Sequence, residues 1–141
     1  ALNFIGTDAT GLAARGNLGV GLQVTGGSSG NQILGNVIGG SAGAGVQSAG
    51  GSVILGNRIG VGVDGTTPLP NGLGVFLNGS ANRLGGVAAG EANVIAHNLG
   101  DGVLVTGVDT SGNAIRGNVI TGNTGLGLNL GFDGVTPNDA G

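Results

Sequence analysis

A six-residue block recurs along this chain and constrains its fold more than any other feature. The block follows the pattern G-[VL]-x-[VLS]-x-G and reads GLQVTG at residue 21, GVQSAG at 45, GVFLNG at 74 and GVLVTG at 102, with a shortened GLNLG at 127. The intervals of 24, 29, 28 and 25 residues are too irregular for a coiled coil and too short for a β-α-β unit. The chain is therefore a repeat protein of another kind.

Two further motifs of the form N-x-[IL] lie between successive blocks. In all of these pieces the aliphatic residues sit two apart, as in Leu22 and Val24, so they point to one side of an extended chain. Each repeat thus contains three strand-sized pieces with one apolar face. The N-x-[IL] pairs are Asn31/Ile33, Ser52/Ile54 as a variant, Asn82/Leu84 and Asn113/Ile115 for one motif, and Asn3/Ile5, Asn36/Ile38, Asn57/Ile59, Asn93/Ile95 and Asn118/Ile120 for the other.

Short strands separated by glycine turns account for both the repeat pattern and the high glycine content. Glycine supplies 36 of the 141 residues, a density that disfavours helices by about 1 kcal/mol per glycine relative to alanine. Glycine instead provides the positive φ angles that tight turns need. The pattern predicts an all-β solenoid, the parallel β-helix, with about five coils and three short strands per coil. We expect the asparagine of each N-x-I motif to be buried and to stack in an amide ladder.

A second, longer period is superimposed on the coils. NFIGTDATGLAARGN at 3–17 aligns without a gap with NRIGVGVDGTTPLPN at 57–71, an offset of 54 residues. We therefore expect an external loop at 6–16 and an equivalent one at 60–70, with a plainer coil between them. The segment VAAGEA at 87–92 is an additional insertion that enlarges one coil.

The chain resembles the right-handed parallel β-helix repeat proteins of bacterial surfaces. NFIGTDATG, NRLGGVAAGEANVIAHN and LGFDGVTPNDAG carry the resemblance, which covers essentially the whole chain. It implies a single-stranded right-handed β-helix over residues 1–141, a piece of a longer secreted or surface-anchored protein. The family includes adhesin-like stalks and passenger domains and, more distantly, polysaccharide lyases, hydrolases and epimerases, so the fold leaves the activity open.

Composition excludes several classes of function. The net charge is −3 with four arginines and no lysine, so neither a nucleic-acid surface nor a Walker phosphate loop is expected. The absence of cysteine rules out disulfides and thiolate zinc sites. No apolar run is long enough to span a membrane.

GVGVDG at 60–65 matches the dinucleotide fingerprint, which must be followed by a helix. The TTPLPNG that follows cannot begin this helix, so no organic cofactor is expected.

Three residues are weak candidates for acid or base catalysis. His97 is the sole histidine and lies near Glu91 and Asp101 in the sequence. The alternative interpretation makes His97 an ordinary turn residue, and nothing in the sequence fixes the spacing of two carboxylates that glycoside hydrolysis requires. Asp133 and Asp139 are weak candidates for a Ca²⁺ site, although turn aspartates explain them equally well.

The outward side of the G-[VL] strands is the candidate ligand surface. Stacking would place amides next to an aromatic ring, which could hold a glycan laid along the axis, with Asn78 beside the column. The alternative is a plain solvent face. The predicted column is Gln23, Gln47, Phe76, Leu104 and Asn129.

Uniform repetition without a coherent chemical cluster favours a non-catalytic structural or adhesive segment that works outside the cell or on its surface. A carbohydrate-binding module and a polysaccharide-active enzyme are the alternatives, and glycans or host-surface components are the expected partners. A β-helix with uncovered ends exposes strand edges, so we also expect end-to-end self-association.

Overall fold

The computed structural model describes residues 2–107 and 110–131. These residues form short β-strands and turns, and none of them belongs to a helix. No helix within this part of the chain is therefore available to cross a membrane. The strands are β1 Phe4–Ile5, β2 Leu22–Val24, β3 Asn31–Leu34, β4 Val37–Ile38, β5 Ala44–Gly50, β6 Ser52–Leu55, β7 Arg58–Ile59, β8 Leu73–Ser80, β9 Arg83–Leu84, β10 Val94–Ala96, β11 Val103–Val105, β12 Ala114–Ile115, β13 Val119–Thr121 and β14 Leu128–Leu130.

The strands stack into three parallel sheets, as the repeat predicts. Their orders are β1-β4-β7-β10-β13, β2-β5-β8-β11-β14 and β3-β6-β9-β12. Every third strand along the chain therefore returns to the same sheet, so β1 to β3 form the first coil and β13 and β14 belong to the fifth. The chain is a parallel β-helix, and the expected fold class and coil number are confirmed.

Aliphatic columns fill the interior of the coils. In the sheet that contains β7, the paired residues are the isoleucines of the N-x-I motifs, and Ile38, Ile59 and Ile95 are fully buried. Val46, Val75 and Val103 form the equivalent column in the sheet of the G-[VL] strands. Because each inward residue contacts the like residue one coil away, the two-residue periodicity of the sequence becomes a continuous core.

The predicted asparagine ladder runs alongside the isoleucine column. Its Nδ2-to-Oδ1 distances are 3.0 Å from Asn36 to Asn57, 2.9 Å from Asn57 to Asn93 and 2.8 Å from Asn93 to Asn118. The backbone N–H groups of Asn36 and Asn57 also donate to the Oδ1 atom in the following coil. The amides thus satisfy backbone groups at a bend that strand pairing leaves unpaired.

A second asparagine ladder was not predicted from the sequence. The Nδ2 atom of Asn71 donates to Oδ1 of Asn98 at 3.0 Å, and Asn98 donates in the same way to Asn123 at 2.9 Å. The backbone N–H of Ser41 occupies the preceding step and donates to Asn71. The sequence does contain a signal for this second ladder, because Asn71, Asn98 and Asn123 each lie three or four positions before a G-[VL] block.

A third polar column is interrupted by serine. Asn82 donates to Asn113 at 2.9 Å, but the position one coil earlier is Ser52, which is too short to continue the ladder. The hydroxyl of Ser48 fills the gap, because it donates to Oδ1 of Asn82 at 2.7 Å and its oxygen lies 2.8 Å from the hydroxyl oxygen of Ser52, from which it can accept. On the other side of the gap, the Nδ2 atom of Asn31 is buried and has no hydrogen-bond partner among the described residues.

The two external loops confirm the 54-residue period. Each is a small hairpin with one antiparallel bridge, Thr7 with Ala14 and Val61 with Pro68. Hydrogen bonds at equivalent positions close both loops, as in the pair from Asp8 N to Ala13 O and from Gly62 N to Thr67 O. The loops also meet, since Val63 N donates to Gly11 O across the plainer coil.

Positive φ angles follow most strands, and among residues 2–107 and 110–131 two of these angles belong to residues other than glycine. Ala81 has φ 59° and His97 has φ 62°. Ala81 occupies the turn position that precedes the polar residue of the third column, where other coils place Gly30, Gly51 and Gly112. An L-residue is strained in this left-handed region, whereas glycine is not.

We expect Ala81→Gly to stabilise the protein and Gly112→Ala to destabilise it. Gly112 has φ 66°, and the space into which a β-carbon would project is open, so the substitution tests backbone strain alone. The strain of about 1 to 2 kcal/mol outweighs the smaller entropy gain from removing a glycine, so each change should amount to about 0.5 to 1 kcal/mol. Urea unfolding of both variants measures the signs, and two changes of the same sign would contradict this explanation.

Candidate functional site

The predicted outward column exists in the expected register. Gln23 is paired with Gln47, Gln47 with Phe76, and Phe76 with the next residue of the column, Leu104. Gln23 is exposed, while Gln47 and Phe76 are half-buried. The Nε2 atom of Gln23 lies 3.3 Å from Oε1 of Gln47, which gives a short amide ladder on the outside of the helix.

The accessible part of this surface is smaller than the sequence suggested. Leu104 is only 2% exposed and Asn129 only 8% exposed, so neither belongs to the solvent face that the alternation predicted. The Oδ1 atom of Asn78 is buried without a hydrogen-bond partner among the described residues, although Asn78 was expected to present its amide beside the column. Gln23, Gln47 and Phe76 therefore make up the part of the column open to a ligand.

His97 lies in a tight turn between two coils. Its φ of 62° matches that of Gly122, which is at the same turn position one coil later according to the pairing of Ala96 with Thr121. Glycine would be the unstrained residue here. The position supports the interpretation of His97 as a turn residue.

Glu91 is held by an ion pair. Its Oε1 atom lies 2.6 Å from Nη2 of Arg83, and its Oε2 atom accepts a hydrogen bond from the backbone of Ala88 at 3.1 Å. The hydrogen bond from Arg83 is the main cause that lowers the pKa of Glu91. A carboxylate stabilised in its charged form is a poor general acid, and here it fixes the insertion at 87–92 onto β9.

Asp101 also serves a structural role. Its Oδ1 atom accepts a hydrogen bond from the backbone N–H of Leu126 at 2.7 Å, and its Oδ2 atom accepts one from Nδ2 of Asn129 at 2.8 Å. Both partners belong to the fifth coil. The carboxylate therefore fastens the last described coil to the one before it.

The three catalytic candidates lie in three separate local environments. Within residues 2–107 and 110–131, no hydrogen bond or ion pair links His97, Glu91 and Asp101 to one another. In the same part of the chain, no group of three or more metal-binding side chains is close enough to hold an ion. Asp133 and Asp139, the candidates for Ca²⁺, lie outside the described residues.

Aspartate side chains organise the two external loops. Oδ1 of Asp8 accepts a hydrogen bond from the Thr10 hydroxyl at 2.7 Å, and this bond is the main cause that lowers the pKa of Asp8. Oδ2 of Asp64 accepts one from the Thr67 hydroxyl at 2.6 Å, which is the main cause that holds the pKa of Asp64 far below its ordinary value. Both are turn aspartates, as their sequence context suggested.

We expect the protein to lose stability in acid. Asp8, Asp64 and Glu91 all have a lowered pKa in the folded state, so their contribution is present above the pKa of an unfolded carboxylate and is lost as the pH falls. The decline in stability should begin at about pH 5 and continue below about pH 3. Thermal unfolding between these pH values measures it, and Asp64→Asn should give a shallower decline. An unchanged melting temperature in acid would contradict the assignment.

An apolar groove on the outer wall was not predicted. It has a volume of about 400 Å³, and its lining includes Leu2, Leu34, Leu55, Ala89 and the charged residue Glu91. Leu34 and Leu55 are adjacent in the pairing of β3 with β6 and follow the inward isoleucines, so their side chains point outward. The alternation pattern predicts one apolar and one polar face for each strand, so it did not predict apolar side chains on the outside of β3 and β6.

Comparison with known proteins adds no identification. No family model matches the chain. No curated protein and no solved structure matches it either. The assignment of function therefore depends on the geometry described above.

Proposed function

We propose that this chain is a non-catalytic structural or adhesive segment of a secreted or cell-surface bacterial protein, related to the β-helix repeat proteins that its sequence resembles. The observation that carries the proposal is the continuity of the interior, in which aliphatic columns and amide ladders run from coil to coil. Contacts between neighbouring coils stabilise such a solenoid along its whole axis, so it needs no ligand to hold it together.

The state of the charged groups supports a structural role. Asp8 and Asp64 close loops, Asp101 fastens one coil to the next, and Glu91 pairs with Arg83. A catalytic carboxylate instead requires a partner group placed across a shared substrate position. The described carboxylates are each occupied by local contacts, which favours the structural role over a polysaccharide lyase, hydrolase or epimerase.

Glycan binding is the second candidate, and one observation favours it. Gln23, Gln47 and Phe76 form a continuous accessible column along the axis, with the amides hydrogen-bonded to each other next to the ring. An aromatic face flanked by amides can stack on a sugar ring and bond to its hydroxyls. A glycan chain would then lie parallel to the axis of the β-helix.

A glycan array combined with an activity assay separates these functions. We expect no release of unsaturated or reducing sugars from uronate polymers, because the described carboxylates have no shared site. If the array detects binding, Phe76→Ala and Gln47→Ala should abolish it. Leu99→Ala provides a matched control, because Leu99 is 66% exposed and lies outside the column.

Each outcome points to one function. The absence of glycan binding on the array, together with the absence of sugar release, supports the structural segment. Array binding that depends on Phe76 and Gln47 identifies a carbohydrate-binding surface. Sugar release that is lost on Glu91→Gln, Asp101→Asn or His97→Ala would overturn the non-catalytic assignment.

A further inference from the structure

The connection between β9 and β10 is longer than its counterparts in the other coils. Residues 35–36 join β3 to β4, residues 56–57 join β6 to β7, and residues 116–118 join β12 to β13. Residues 85–93 make the same connection between β9 and β10, and they contain the insertion at 87–92. The insertion therefore interrupts a corner that the neighbouring coils cross directly.

The end of the insertion replaces a regular hydrogen bond of this corner. The backbone N–H of Gly35 donates to Leu55 O at 3.0 Å. Gly56 is the equivalent glycine one coil later, with φ 66° against 64° for Gly35, but its N–H donates to Glu91 O at 3.2 Å. The Gly56 amide thus reports whether the end of the insertion is in place.

The side chain of Glu91 closes the base of the insertion. Its Oε1 atom lies 2.6 Å from Nη2 of Arg83, which is on β9 before the insertion begins. Its Oε2 atom accepts a hydrogen bond from the backbone N–H of Ala88, and the backbone N–H of Glu91 donates to Ala88 O, both at 3.1 Å. One carboxylate therefore connects the start, the middle and the end of the segment.

The middle of the insertion buries little surface. Residues 87–90 are all exposed, and Val87 is 90% exposed. The ion pair at the base is itself accessible to solvent, with 44% of the Arg83 side chain and 24% of the Glu91 side chain exposed. A partly exposed ion pair contributes only a small free energy, and a segment with few buried contacts opens more readily than the whole fold.

The insertion also forms one side of the apolar groove. Ala89, Gly90 and Glu91 line the groove together with Leu34 and Leu55. Leu34 is 40% exposed, whereas its pairing partner Leu55 is half-buried. Movement of the insertion away from the wall would widen the groove and expose more of Leu55.

We propose that the insertion at 87–92 is a strap that opens and closes over the outer wall while the coils stay folded, with the ion pair between Arg83 and Glu91 as its latch. In the closed state, the Gly56 N–H is bonded to Glu91 O and the groove is narrow. In the open state, the ion pair is broken, the Gly56 N–H is in contact with water, and the wall at Leu55 is accessible. The proposal goes beyond the structural role and does not depend on whether glycans bind.

Hydrogen exchange of single amides, measured by NMR, tests the latch. Glu91→Gln keeps the size of the side chain and removes its charge, so the exchange rate of the Gly56 amide should rise about two- to fivefold. The Gly35 amide is the internal control, because its acceptor Leu55 O lies outside the insertion. Asp64→Asn is the control variant, since it removes a charge from an external loop and should leave the ratio of the two rates unchanged.

A second substitution and a salt series complete the test. Arg83→Gln should raise the ratio of the Gly56 rate to the Gly35 rate by the same factor as Glu91→Gln, and the double variant should raise it no further, because both changes remove one interaction. In the parent protein, an increase in ionic strength from about 0.01 M to about 1 M shortens the screening length from about 30 Å to about 3 Å and should raise the same ratio.

Circular dichroism verifies that each variant is folded, and the salt series on the parent protein decides if a variant does not fold. An unchanged ratio in Glu91→Gln, or in the salt series, would overturn the proposal. Equal increases for Gly35 and Gly56 would also overturn it, because they would show that the coils open together with the insertion.

Discussion

Replacing Asn57 with alanine should destabilise the protein by about 3 to 5 kcal/mol, because the change leaves several buried polar groups without partners. Asn57 is fully buried. Its Oδ1 atom accepts from both the backbone and the side chain of Asn36, and its Nδ2 atom donates to Ile33 O at 2.8 Å. A water molecule has little room to replace the amide in a packed interior.

Gln47→Ala is the matched control for Asn57→Ala. Gln47 also belongs to an amide pair between coils, but its partner Gln23 is exposed. Removal of this surface amide should change stability by less than about 0.5 kcal/mol. Urea unfolding of the two variants compares a buried ladder with an exposed one, and equal effects would show that burial does not decide the strength of these ladders.

Replacing Ile59 with alanine should cost about 3 to 5 kcal/mol, since it removes a large side chain from the middle of the core. Ile59 is fully buried and has isoleucine in the same column on both sides, Ile38 and Ile95. The cavity would disturb contacts with two coils at once. In a solenoid, each coil is stabilised chiefly by its neighbours, so damage at a central coil weakens both interfaces.

Ile120→Ala provides the comparison for Ile59→Ala. Ile120 lies in the same column but in the fifth coil, where it is only half-buried and lines a cavity of about 190 Å³ together with Ile115. We expect a loss of about 1 to 2 kcal/mol, because fewer apolar contacts are removed. Thermal unfolding measures both losses. A larger loss for Ile120 than for Ile59 would show that the ends, rather than the middle, govern cooperativity.

The sequence was most informative where one residue type repeats at one position. The isoleucine and asparagine of the N-x-I motifs predicted a column and a ladder, and Ile59 and Asn57 occupy them with full burial. The 54-residue offset predicted equivalent loops, and hydrogen bonds at equivalent positions close them. Such features are readable because, in a solenoid, residues that contact in space are separated by one repeat in the chain.

The candidate surface was less predictable because burial depends on more than strand alternation. Alternation placed Leu104 outside, yet it is 2% exposed, and it gave no indication that Leu34 and Leu55 line an apolar groove. The role of Glu91 was equally hidden. Its partner Arg83 lies on a preceding strand, and only the path of the 87–92 insertion brings the two side chains to 2.6 Å.

The sequence by itself determined the repeating elements of this protein: three strands per coil, inward aliphatic columns and a buried amide ladder. Only the tertiary structure decided which outward residues are accessible to solvent and where the loops and the insertion contact the sheets. It also decided the partners of Asp101 and Glu91, which are the backbone of Leu126 and the side chain of Arg83. The physical reason is the range of the interactions. Stacking between like positions is encoded by periodicity, whereas contacts made by irregular segments depend on the path of the backbone in space, which no local pattern specifies.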